Sequence, residues 1–143
     1  KYFPKNTSGY FLDTKKLYSD FEYTDYKKAK ILKKVISEKN KKVLTQLEKR
    51  LLILKKKFEL NKIKPLIITQ VLYSGLDNQT LFLVNEKLKE FSENNNWPII
   101  KLDELITMKP YDFYDFAHTT PEGSEKIANI IYPFLKEILT NKN

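Results

Sequence analysis

The spacing of apolar residues changes along the chain, and the changes mark its elements. From Tyr26 onward Ala29, Ile31, Leu32, Val35 and Ile36 recur at helical intervals with lysines opposite, and Asn40 reads as a break. A second helix is expected from about Lys41 to Leu60, where Leu44, Leu47, Leu51, Leu54 and Phe58 alternate steps of three and four. That seam lasts only about two heptads, so it predicts an amphipathic helix packed on a sheet rather than a coiled coil. Lys64-Pro65-Leu66-Ile67-Ile68-Thr69-Gln70 is short and continuously apolar at its centre, as buried strands are. The loop Tyr73-Ser74-Gly75-Leu76-Asp77-Asn78 follows, then a helix from about Asn78 to Asn94 with Leu81, Val84, Leu88 and Phe91 on one face and Asn94-Asn95-Asn96 as its end. Trp97 to Leu102 reads as a second strand with Asp103 and Glu104 at its exit, and Thr107 to Tyr114 as a loop. A last helix after Thr120 is expected to bury Ile127, Ile130, Ile131, Phe134, Leu135 and Ile138, with a kink or break near Ile130 caused by Pro133. Residues 1–25 show no clean period; Tyr2, Phe3, Tyr10 and Phe11 suggest an irregular segment that packs aromatics onto the core.

The order helix–helix–strand–helix–strand–loop–helix is that of an α/β domain with a parallel sheet and helices on both faces. Such sheets place their sites outside the carboxyl ends of the strands, where the loops after Gln70 and Leu102 both open. The 143 residues are expected to form a single domain: a helical pair over 26–60, then strand–helix–strand–loop–helix over 61–143.

Composition narrows the chemistry. There is no cysteine and one histidine, which removes disulfides, thiolate metal sites and His-rich metal sites, and no cofactor is implied. The net charge is +8, but Arg50 is the only arginine. Phosphate forks and base edges favour arginine, so the lysines read as solvated helix faces and no specific nucleic-acid partner is expected. No apolar run is long enough for a transmembrane helix.

The only histidine, His118, lies in Tyr114-Asp115-Phe116-Ala117-His118-Thr119-Thr120-Pro121-Glu122-Gly123. Thr120 suits an N-cap, Pro121 the first helical position, and Glu122 the first turn. His118 is thus expected in a tight turn at a helix mouth. Asp115, three residues earlier, is placed to accept the Nδ1 proton and leave Nε2 as a general base. Read blandly, the pair is a surface or capping histidine and the start of a loop.

The block Asp-x-x-His-x-Thr-Pro-Glu-Gly, followed by an Ala/Ile-rich C-terminal helix, resembles the last motif block of the SGNH (GDSL-type) hydrolases. With the two preceding strands the resemblance spans roughly residues 62–139, although its specific part is about ten residues. It implies a three-layer α/β/α, flavodoxin-like sheet and serine esterase chemistry on an ester of a sugar, lipid or other small molecule. Asp115 would be the orienter, His118 the base, and Gly123 the small residue that lets the helix start pack closely. The family's Gly-Asp-Ser, Gly and Gly-x-Asn blocks have no counterpart here. Ser8 has no strand before it, and Ser74 follows a strand but matches no nucleophile motif, so it reads as a pocket-lining turn residue. Ser19, Ser37, Ser92 and Ser124 sit in a loop or on helix faces. The expectation is that the N-terminal strands and the nucleophile precede Lys1. A chain with only these strands would then associate through its open sheet edge or depend on the missing half. The alternatives are a non-catalytic α/β interaction module whose Lys-rich helices over 27–60 bind an anionic partner, and a nucleophile supplied by a second chain.

Overall fold

A computed structural model of the chain describes residues 36–71, 78–114 and 118–140. The aromatic segment 1–25, residues 26–35 of the helix expected from Tyr26, Ser74 and Asp115 lie outside these residues; Ile36, expected on the face of that helix, is described and is not helical.

Helix α1 spans Glu38–Leu60. Its N-cap is Ser37, whose hydroxyl accepts the Asn40 N–H at 3.2 Å. Ser37 is therefore a cap and not a residue on a helix face. Asn40 is not a break: it sits in the first turn, 2% exposed, and its side-chain oxygen accepts the Thr80 hydroxyl at 2.6 Å. A satisfied buried amide outweighs the poor helix propensity of asparagine. The helix ends in a Schellman motif. Lys62 takes a left-handed φ of 53°, Ile63 N–H donates to Phe58 O, and Lys62 N–H donates to Glu59 O.

Strands β1 (Ile67–Ile68) and β2 (Ile99–Ile100) pair in parallel, with Ile67 beside Ile99 and Ile68 beside Ile100. The N–H groups of Ile67 and Thr69 donate to Pro98 O and Ile100 O, both at 3.0 Å. Both strands are shorter than the runs 64–70 and 97–102 suggest. Leu102 turns at once into the single-turn helix α3 (Leu102–Leu105), which takes up Asp103 and Glu104. At the end of β1 the backbone of Gln70 is bonded to a side chain instead of a strand: Asn85 donates to Gln70 O at 2.8 Å and accepts its N–H at 3.0 Å. Among the described residues the sheet has two strands. The described residues thus form a mostly helical α/β arrangement and not the three-layer flavodoxin-like sheet.

Between the strands runs α2 (Asn78–Asn94), at the expected bounds. It closes with a second Schellman motif, Asn96 at φ 52° and Trp97 N–H on Ser92 O. Phe82 and Leu83 form a core cluster with Leu44 and Leu81, and Trp97 stands edge-on to Phe58 and Phe91 at ring distances of 5.7 and 5.4 Å. The apolar stripe of α2 is only part of its buried surface, since Asn85, Lys89 and Ser92 are also buried.

After α3 the chain passes through a 3-10 turn, Pro110–Asp112, to α4, Pro121–Thr140. Helix α4 runs through Pro133 without a break. Proline removes the bond to the carbonyl of Asn129, which is an exposed residue. The expected buried face of α4 is only partly covered. Ile127 packs on the Met108–Phe113 cluster, Ile130 and Ile131 are half-buried, and Phe134, Leu135 and Ile138 are exposed. The described elements reach the first half of the helix and no further.

Candidate functional site

The turn that carries His118 is built on Asp112 and Phe113. Phe113 and Thr119 form an isolated antiparallel bridge, and Tyr114 N–H donates to His118 O at 2.8 Å. These contacts close a small hairpin with His118, an exposed residue, on its returning arm. The hairpin rests on the core through Phe113, 2% exposed, which packs with Met108 against Val71, Ile106 and Ile127. Val71 lies three residues beyond Ile68, so the hairpin is seated past the carboxyl end of β1.

Helix α4 begins immediately after this turn. Thr120 caps it: Gly123 N–H donates to Thr120 Oγ1 at 3.2 Å and Ser124 N–H to Thr120 O at 2.8 Å. Thr120 Oγ1 also donates to Tyr111 O at 3.3 Å, and Thr120 N–H to Asp112 O at 2.8 Å. Gly123 is buried against the same carbonyl. A Cβ at this position would stand 2.1 Å from Asp112 O and 3.0 Å from its carbonyl carbon. The close helix start expected of Gly123 is therefore a contact between two stretches of backbone.

Sequence reasoning passed over Asp112. Its side chain has no exposed surface; it accepts Lys109 N–H at 2.7 Å and both its oxygens accept Lys126 Nζ, at 2.7 and 2.8 Å. The hydrogen bond from Lys126 to Asp112 raises the lysine pKa above its ordinary value. Lys126 and Lys109 also lie over the Tyr111 ring, at 5.2 and 5.6 Å from its centre. The carboxylate that anchors the hairpin is thus Asp112, three residues before Asp115. A buried carboxylate one residue from an apolar anchor left no periodic signal to read.

A second polar cluster lies at the carboxyl ends of the two strands. Thr69 Oγ1 donates to Asp103 Oδ1 at 2.5 Å and accepts Asp103 N–H at 3.2 Å. Lys89, 6% exposed, bonds to Asp103 at 2.8 Å, Glu104 at 2.6 Å and Glu86 at 3.1 Å. One ammonium thus serves three carboxylates, and the shared Lys89 ties α2 to α3. It was not foreseen either, because Lys89 reads as one more solvated lysine.

Among the described residues no serine hydroxyl stands beside His118 in a bonded pair, and the Oγ of Ser92 is buried without a hydrogen-bond partner. Ser37 caps α1, Ser92 is fully buried, and Ser124 Oγ lies 2.7 Å from Thr119 Oγ1. A groove of about 390 Å³ between α1 and α2, lined in part by Leu44, Glu48, Leu83 and Lys87, shares no residue with the His118 turn. Among the described residues no cluster of His, Cys, Asp or Glu could hold a metal, and no helix is long and apolar enough to cross a membrane.

No family model matches the chain, and neither the curated proteins nor the solved structures compared with it give a match.

Proposed function

We propose that the chain is the C-terminal part of an SGNH-type acyl hydrolase, with His118 as the general base and Asp115 as its orienter. The observation that carries this reading is the setting of His118: an exposed imidazole on a closed hairpin, past the carboxyl end of a parallel strand, directly before a capped helix. Doubly wound sheets put their chemistry at that edge. The motif block Asp-x-x-His-x-Thr-Pro-Glu-Gly supplies the family, and the backbone contact at Gly123 gives its glycine a reason. The exposed Phe134, Leu135 and Ile138 of α4 and the two-stranded sheet suit a domain whose remaining strands, completing a three-layer fold, are encoded upstream.

In the proposed reaction a serine Oγ attacks an ester carbonyl while its proton passes to Nε2 of His118. The carbonyl–oxygen bond breaks, and the leaving alkoxide takes that proton and departs as the alcohol. Water, deprotonated by His118, then cleaves the acyl-enzyme, and the proton returns to serine. Asp115 holds the imidazole tautomer and stabilises the imidazolium. The substrate class is an ester of a sugar, lipid or other small molecule.

The test is to express the uninterrupted coding frame that contains these residues and follow hydrolysis of short p-nitrophenyl esters. His118→Ala should lower turnover by about 10²–10⁴-fold and leave the urea midpoint unchanged, because the side chain is exposed. The 143 residues alone should be silent, lacking nucleophile and oxyanion donors. Ester turnover that His118→Ala does not change would overturn the assignment.

A further inference from the structure

We propose that the outer face of α1 docks on an anionic lipid surface. This surface is separate from the His118 turn, and the proposal does not depend on the hydrolase reading.

Helix α1 presents Leu51 to the core, 4% exposed. On the opposite side of the cylinder, Lys42, Lys49, Ile53, Lys56 and Leu60 follow one another at helical spacing, with Lys57 beside them. All six are exposed; Ile53 shows 55% and Leu60 82% of its surface. The charge on this face is not neutralised within the helix. Its three carboxylates are each paired with another lysine: Glu38 with Lys41 at 2.6 Å, Glu48 with Lys87 at 3.3 Å, and Glu59 with Lys55 at 3.8 Å. Lys42, Lys49, Lys56 and Lys57 have no carboxylate partner among the described residues.

The occupant follows from what is interleaved. Lysines alternate with Ile53 and Leu60 along one line. On a bilayer, long lysine stems lie along the apolar boundary and put their ammonium groups among the headgroups, while isoleucine and leucine enter the acyl edge. A nucleic acid offers no use for Ile53 and Leu60, and its phosphates are better held by arginine, of which this face has only Arg50, at its edge beside Lys57. Anionic headgroups use the unpaired lysine charge and the apolar side chains at once. Each lysine near such a surface strengthens binding by about fivefold.

Co-sedimentation of the full chain with vesicles of neutral lipid alone, and of neutral lipid mixed with phosphatidylglycerol, tests this. Binding should appear only with the anionic vesicles. Combined Lys49→Gln, Lys56→Gln and Lys57→Gln should weaken it by about 100-fold. Combined Lys101→Gln, Lys109→Gln and Lys136→Gln, which removes the same charge elsewhere, should change it by less than about twofold. Ile53→Ser with Leu60→Ser should remove about tenfold of the binding that persists at high salt. No binding to anionic vesicles, equal losses in the two lysine triples, or no effect of the Ile53/Leu60 pair would each overturn the proposal. So would tighter binding to single-stranded DNA through the same lysines. Thermal unfolding of every variant keeps loss of fold distinct from loss of docking, since all these side chains are at least partly solvated.

Discussion

Gly123→Ala is the sharpest test of how the His118 turn is held. Helix propensity alone says that the change stabilises, because alanine is favoured over glycine in a helix by about 1 kcal/mol. The packing says the reverse. A Cβ would stand 2.1 Å from Asp112 O, a distance that real Cβ contacts do not show. The carbonyl or the helix start must move by about 1 Å to restore van der Waals contact. Forcing extra volume into a close contact costs about 1–3 kcal/mol. Asp112 O also accepts Thr120 N–H at 2.8 Å, and displacing it costs about 1 kcal/mol more. Against the propensity gain, the net loss is about 1–3 kcal/mol. Urea unfolding followed by Trp97 fluorescence reads this: the indole sits between Phe58 and Phe91, so it reports the cooperative loss of the core rather than a local change at α4. Glu122→Ala, at the neighbouring exposed position, should move stability by less than about 0.5 kcal/mol. An unchanged or higher midpoint for Gly123→Ala would refute the backbone contact as the basis of the turn.

Three further outcomes follow from the polar clusters. Lys126 has its pKa raised in the folded state by its hydrogen bond to Asp112, so its contribution is fully present below the ordinary value of 10.5 and is lost as pH rises through the higher folded value. Urea midpoints should therefore fall at strongly alkaline pH, and Asp112→Asn should lessen that fall; identical pH profiles for the two proteins would rule the linkage out. Lys89→Ala leaves the Asp103 carboxylate, which has no exposed side-chain surface, without its ammonium and should cost about 3–5 kcal/mol, whereas Lys89→Met with Asp103→Leu should recover most of that in a double-mutant cycle. Asn85→Ala should speed hydrogen exchange at the Gln70 amide by about tenfold or more, because that N–H loses its acceptor; unchanged exchange would contradict the side-chain clamp.

The elements that the sequence disclosed are those with a strong local signal. Helix α2 was bounded at both ends because apolar periodicity and the Asn94–Asn96 terminator agree, and Asn96 indeed takes the left-handed conformation. The start of α4 was legible for the same reason, as Thr120, Pro121 and Glu122 each favour one helical position. What could not be read depends on partners distant in sequence. Asn40 looks like a helix breaker until Thr80 is beside it, and Lys89 looks solvated until Asp103 and Glu104 close over it. The strands were overestimated because an apolar run says how much is buried, not where its ladder stops. The α4 face was overestimated because amphipathicity shows that a stripe can be covered, not that a neighbour reaches it. At the candidate site the imidazole and the cap were legible, while the carboxylate that fastens the hairpin, Asp112, was hidden next to the one the motif highlights.

The amide of Asn85 also governs what can be added to the sheet. Ile67 of β1 and Thr69 just after it donate their N–H groups toward β2, so the backbone groups of Ile68 and Gln70 point to the other edge. Asn85 already fills both bonding positions of Gln70 with a side chain shaped like a peptide group. A further strand arriving on that edge, whether from elsewhere in the same polypeptide or from another molecule, can take the rung at Ile68 but finds the next one occupied. The length and register of such an addition are therefore set in advance by a residue of α2, and a long, unregistered stacking of copies through this edge is stopped after the rung at Ile68.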